Sequence, residues 1–115
     1  MEEIAKPNHL WVEVDTELIA ARAARSAGNE GKARVCSRRA AGKALRTVGL
    51  SSVPPLAAIR LFLDSHKLPH DVQEACSHLL LTVNEEYRLA DGIDLIADSE
   101  KIVSYVRSSF PSKGA

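Results

Sequence analysis

The sequence predicts an all-α, up-and-down bundle of four to five helices, and three observations carry that expectation. First, with about 100° of rotation per residue, Ala33, Ala40, Ala41, Ala44 and Val48 fall on one helix face, while Lys32, Arg39, Lys43 and Arg46 gather opposite. Second, the preceding stretch is equally slim, with Ala20, Ala21, Ala23, Ala24 and Ala27, so the two helices can approach closely as an antiparallel hairpin. Third, hydrophobic content is 45% but aromatic content only 4%, which leaves Leu, Ile, Val and Ala to build the core, and no stretch alternates with period two for the length of a strand.

Taken in order, residues 1–9 form a flexible lead-in, and Leu10, Val14, Leu18 and Ala21 recur at helical spacing, predicting a helix over about residues 10–27. Gly28-Asn29-Glu30-Gly31 stops it and reverses the chain. The second helix covers about residues 31–48 and ends at Gly49. After the loop Ser51-Ser52-Val53-Pro54, a proline entry opens a third helix over about residues 55–66, with Leu56, Ile59 and Leu63 as its inward stripe. From Asp71 the repeat Val72, Ala75, Cys76, Leu79, Leu80, Val83 is the cleanest amphipathic pattern in the chain. A turn at Asp91-Gly92 leads to a last helix over about residues 94–108, and residues 109–115 are a flexible tail. The whole reads as one domain, residues 10–108.

The formal net charge is zero, but its distribution is uneven. Residues 20–50 carry eight cations, Arg22, Arg25, Lys32, Arg34, Arg38, Arg39, Lys43 and Arg46, against Glu30; residues 64–100 are predominantly acidic. Such a bipolar chain suits self-association or an oppositely charged protein about as well as nucleic acid. The start of the chain lacks the basic region and apolar run of a secretory signal, and no stretch approaches the roughly 20 apolar residues of a membrane span, so a soluble cytoplasmic protein without membrane association is expected. In a reducing compartment Cys36 and Cys76 are expected as free, mostly buried thiols.

Ala40-Ala41-Gly42-Lys43-Ala44-Leu45-Arg46 resembles the second helix of the HEPN superfamily, small bacterial and archaeal bundles whose helix typically reads Ala-Ala-Glu-Lys-Ala-Leu-Lys, with Gly42 standing where the family commonly carries Glu. The resemblance implies an all-α bundle that tends to dimerise, often beside a minimal nucleotidyltransferase partner, with roles from RNA cleavage in toxin–antitoxin pairs to RNA, nucleotide or partner binding. Nuclease members carry an arginine, four to six intervening residues, then a histidine, a spacing met by Arg60-Leu61-Phe62-Leu63-Asp64-Ser65-His66. Leu61 replaces the usual polar residue.

A metal-independent RNase needs an acid or base near neutrality and a cation for the developing phosphorane charge, roles open to His66 and Arg60. The plainer reading is a solvated arginine and a histidine favoured by a helix C-terminus. The ridge of Lys32, Arg39, Lys43 and Arg46, widened by Arg34 and Arg38, could contact phosphates or acidic helices. Without interleaved aromatics its binding would be directed to the backbone rather than to bases. His70, Glu74 and His78 form an i, i+4 ridge that the apolar stripe of their own helix places in water, where weak surface pairs are commoner than metal sites. Glu85 and Glu86 read as surface acids, and Trp11 as a core anchor. No glycine-rich phosphate loop, Ser/His/Asp ordering or Cys-x-x-Cys is present, so neither a cofactor nor a metal is expected. The expectation is a noncatalytic binding or assembly module, a homodimer with a basic helix face; the alternative is a small RNase using Arg60 and His66.

Overall fold

Asn29 closes one helix and opens the next. Its backbone N–H reaches the Ala24 carbonyl at 2.8 Å across Gly28, whose φ of 79° lies in the left-handed region, and its side chain accepts from the Lys32 N–H at 3.1 Å. The computed structural model describes residues 7–50, 52–65, 67–81 and 92–110. Among these residues there are five helices and no strand: α1 (Pro7–Ser26), α2 (Glu30–Arg46), α3 (Pro55–Ser65), α4 (His70–Leu79) and α5 (Leu95–Ser109).

Pairings along the helices give their directions. Lys43 of α2 meets Glu13 and Glu17 of α1 while Arg25 meets Glu30, so α1 and α2 run antiparallel. The Ser99 hydroxyl donates to the Ser37 carbonyl at 2.8 Å, Ile96 packs with Ala33 and Cys36, and Val103 packs with Ala40 and Ala44, so α5 runs parallel to α2. On α4, His78 meets Asp98 while Val72 shares a groove with Tyr105, which sets α4 antiparallel to α5. Pro55 abuts Gly42, and Phe62 meets Tyr105 in a tilted and Phe110 in an edge-on ring contact, so short α3 spans the end where α2 and α5 finish.

Alanine makes α2 the central helix. Ala33, Ala40 and Ala44 receive Val14, Leu18, Ala21 and Ala24 of α1, while Ala41 and Leu45 turn toward the larger core of Ile59, Phe62, Val72, Leu79, Ile102 and Val106. Gly42 is fully inside the helix, and a Cβ there would lie 2.7 Å from the Pro55 Cβ and 2.8 Å from its Cα. A residue without a Cβ at position 42 therefore suits the close approach of α3.

At the opposite end, Arg25 donates to Glu30 at 2.6 Å and to Asp94 at 2.9 Å, and Asp94 also accepts from the Ile96 and Ala97 N–H groups as the N-cap of α5. One guanidinium thus ties α1, α2 and α5. Its hydrogen bonds hold the Glu30 carboxyl below its usual range. Burial pushes Asp94 upward, but Arg25 and the two amides outweigh it and lower that carboxyl as well.

Several boundaries differ from the sequence reading. α1 starts at Pro7, because the first helical turn tolerates a residue without an N–H, so residues 7–9 belong to the helix and not to a lead-in. Residue 109 is helical, and Phe110 packs on Phe62 and Tyr105, so the bundle extends past residue 108. Leu56 is exposed, and the inward face of α3 is Ala58, Ile59 and Phe62, with Leu63 half-buried, since the large ring takes the contact with α5. Val83, Glu85, Glu86 and Asp91 lie outside the described residues.

Candidate functional site

The basic ridge of α2 divides into cations used by the fold and cations left over. Arg38 belongs to the first group. Its Nε donates to the Leu79 carbonyl at 2.8 Å and its Nη2 to the Leu81 carbonyl at 2.7 Å, satisfying backbone acceptors that α4 leaves open at its C-terminus. Burial, and then the neighbouring Arg34, lower the pKa of this guanidinium. Arg38 is therefore a structural cap rather than part of a free surface. Lys43 is also engaged, 3.0 Å from Glu17 and 3.4 Å from Glu13, two acids one turn apart on α1.

Lys32, Arg39 and Arg46 remain exposed and Arg34 half-buried, none with a salt bridge among the described residues. Arg39, Lys43 and Arg46 recur at i, i+4 and i+7, and all three line a recess of about 320 Å³ at the junction of α1, α2 and the entry to α3. Glu17, Val53 and Pro55 complete its walls, and Gly42 forms part of its lining. The sequence pattern contained the cations but not the wall, which forms only when Pro55 seats against Gly42.

Arg60 sits exposed on α3 with no salt bridge among the described residues, and His66 lies outside them. The pair of Arg60 and His66 therefore lies only half within the described residues. Among the described residues no group of three or more His, Cys, Asp or Glu side chains could hold a metal ion. No family model, no curated protein and no solved structure matches this chain. No helix of the described structure is long and apolar enough to cross a membrane.

The His70, Glu74, His78 ridge does not stay together in water. His70 and Glu74 are exposed, but half-buried His78 turns to α5, where its Nδ1 lies 2.9 Å from Asp98 Oδ2. Sequence gave no signal for this pair, because its members stand on different helices. Burial pushes the Asp98 carboxyl up, and the hydrogen bond and charge of His78 pull against that without cancelling it. A carboxyl raised by folding binds its proton more readily in the native state, so its contribution to stability declines as the pH rises from about 4 through the raised value. Asp98→Asn removes that decline. In urea titrations across pH, the variant is expected to gain on the wild type as the pH rises over this window and then to run parallel; a difference that is flat from pH 3 upward would contradict the assignment.

Cys36 and Cys76 are free and buried, and burial pushes the Cys76 thiol up to about 11, so it remains a protonated packing group at neutral pH.

Proposed function

We propose that the protein is a noncatalytic binding or assembly module of the HEPN type, works as a homodimer in the cytoplasm, and presents the outer face of α2 to a phosphate-rich partner such as RNA. The observation that carries the reading is the set Lys32, Arg39 and Arg46, which stays exposed without carboxylate partners among the described residues, on a helix where the fold engages Arg38 and Lys43. Exposed guanidiniums seek oxyanions, and a ridge of cations without aromatic neighbours favours phosphates over bases. Arg39 and Arg46 replace Arg38 and Lys43 as the central contacts.

Fluorescence anisotropy with labelled single-stranded RNA at several salt concentrations tests this. Binding is expected to weaken steeply with salt, and Arg39→Ala or Arg46→Ala each to weaken it by about tenfold while lowering the salt slope by about one. A noncatalytic module is expected to leave the RNA intact. Absence of binding at low salt would remove the nucleic-acid reading, and an eluted mass of one chain in light scattering would remove the homodimer.

A further inference from the structure

We infer that the recess between Arg39, Lys43 and Arg46 is an end-on site for a phosphate monoester, and not a stretch of surface along which a nucleic-acid backbone runs. This deepens the proposed function and rests on it in part. Pro55 is packed so tightly against Gly42 that a Cβ would stand 2.7 Å from it, so the start of α3 is a fixed barrier beside the ridge. Glu17, itself only 14% exposed and 3.0 Å from Lys43, places a carboxylate on the α1 side. A phosphodiester within a chain must leave its site in two directions, and here one direction meets Val53 and Pro55 while another meets a negative charge. A terminal phosphate needs one exit.

The charges agree with this geometry. Lys43 is shared between Glu13 and Glu17, so the grip falls to Arg39 and Arg46, whose guanidiniums lack carboxylate partners among the described residues. Seven residues apart on α2, their Cα atoms stand about 10 Å apart along the axis, a span that two long side chains can close around one oxyanion. A phosphate monoester presents three terminal oxygens and about −1.5 to −2 charges at neutral pH. Two unpaired guanidiniums match that charge, and their forked donors match its oxygens. A diester offers a single charge and two free oxygens, and leaves part of the fork unused. The about 320 Å³ of the recess accommodates the phosphate and the first atoms attached to it, with Val53 and Pro55 as an apolar wall.

Phosphate monoesters occur at the ends of polynucleotides and on free small molecules, and two titrations separate these sources. In the first, one labelled RNA oligonucleotide is compared with a 5′-phosphate and with a 5′-hydroxyl. The phosphorylated form is expected to bind about tenfold tighter. Arg39→Ala and Arg46→Ala should erase the difference, whereas Lys32→Ala, on the exposed ridge but outside the recess, should weaken both forms alike. Circular dichroism of each variant verifies folding. Equal affinity for the two ends would overturn the end-on site and leave the proposed function standing. In the second, glycerol 3-phosphate is titrated into 15N-labelled protein. Amide shifts centred on Arg39, Gly42, Arg46 and Val53, with neither oligonucleotide bound, would support the recess as a small-molecule site while overturning the RNA reading. No response in either titration would overturn both.

Discussion

Arg38→Ala is expected to destabilise the bundle by about 2–3 kcal/mol, with a melting temperature lower by about 10 °C. Two charge-assisted hydrogen bonds disappear together, at 2.8 Å to Leu79 and 2.7 Å to Leu81, and the Leu79 carbonyl is left on a fully buried residue. Each such bond contributes about 1.5–3 kcal/mol. The total is reduced because the guanidinium is partly desolvated, as its lowered pKa reflects, and because water can reach exposed Leu81. Arg38→Lys should recover only part of the loss, since an ammonium lacks the fork that spans both carbonyls. Urea unfolding followed by circular dichroism gives the number. An unchanged midpoint accompanied by weaker RNA binding would return Arg38 to the binding surface.

Gly42→Ala sets two effects of opposite sign against each other. Alanine is a better helix residue than glycine by about 1 kcal/mol, so the change would stabilise a free helix surface. Here the new methyl meets Pro55 at 2.7 Å from Cβ and 2.8 Å from Cα, and the Cα cannot move without carrying the start of α3 with it. Overpacking of this kind costs about 1–3 kcal/mol. A net loss of up to about 2 kcal/mol is expected by thermal denaturation, together with weaker binding in the recess as its wall shifts. Gly31 is the control, because its Cβ would find nothing nearer than 3.9 Å, and Gly31→Ala should be neutral or slightly stabilising. If Gly42→Ala behaved like Gly31→Ala, the contact between α2 and α3 would be looser than described.

What the sequence disclosed depended on whether the relevant partners lay within one or two helical turns. The Gly28-Asn29 reversal and the apolar repeat of Val72, Ala75, Cys76 and Leu79 are set by local geometry, and each is legible residue by residue. The alanine faces of α1 and α2 predicted their own pairing, because small side chains leave few other ways to exclude water. Arg38 and Lys43 were placed on the basic ridge by angle alone. Angle fixes a direction and not what stands there. Arg38 points toward carbonyls more than 40 residues away, and nothing in its neighbourhood records them. Lys43 was more accessible to inference: Glu13 and Glu17 stand at i, i+4, and aligning Leu18 with Ala40 in the hairpin brings both beside it. His78 and Asp98 depended on the pairing of α4 with α5, which no local pattern specifies. The recess required all three levels at once: the ridge, the hairpin register and the seating of Pro55 on Gly42.

Trp11 is half-buried between two parts of the core, and the guanidinium carbon of Arg107 lies 4.3 Å from its ring centroid, with Arg107 also 3.4 Å from Asp15. It is the single tryptophan of the chain. The molecule thus carries a built-in optical gauge: indole emission monitors whether the start of α1 is seated against the end of α5, and a cation over the ring makes it sensitive to ionic strength as well as to denaturant. A change in emission that precedes the loss of helical ellipticity would mark α1 as the first element to leave the bundle.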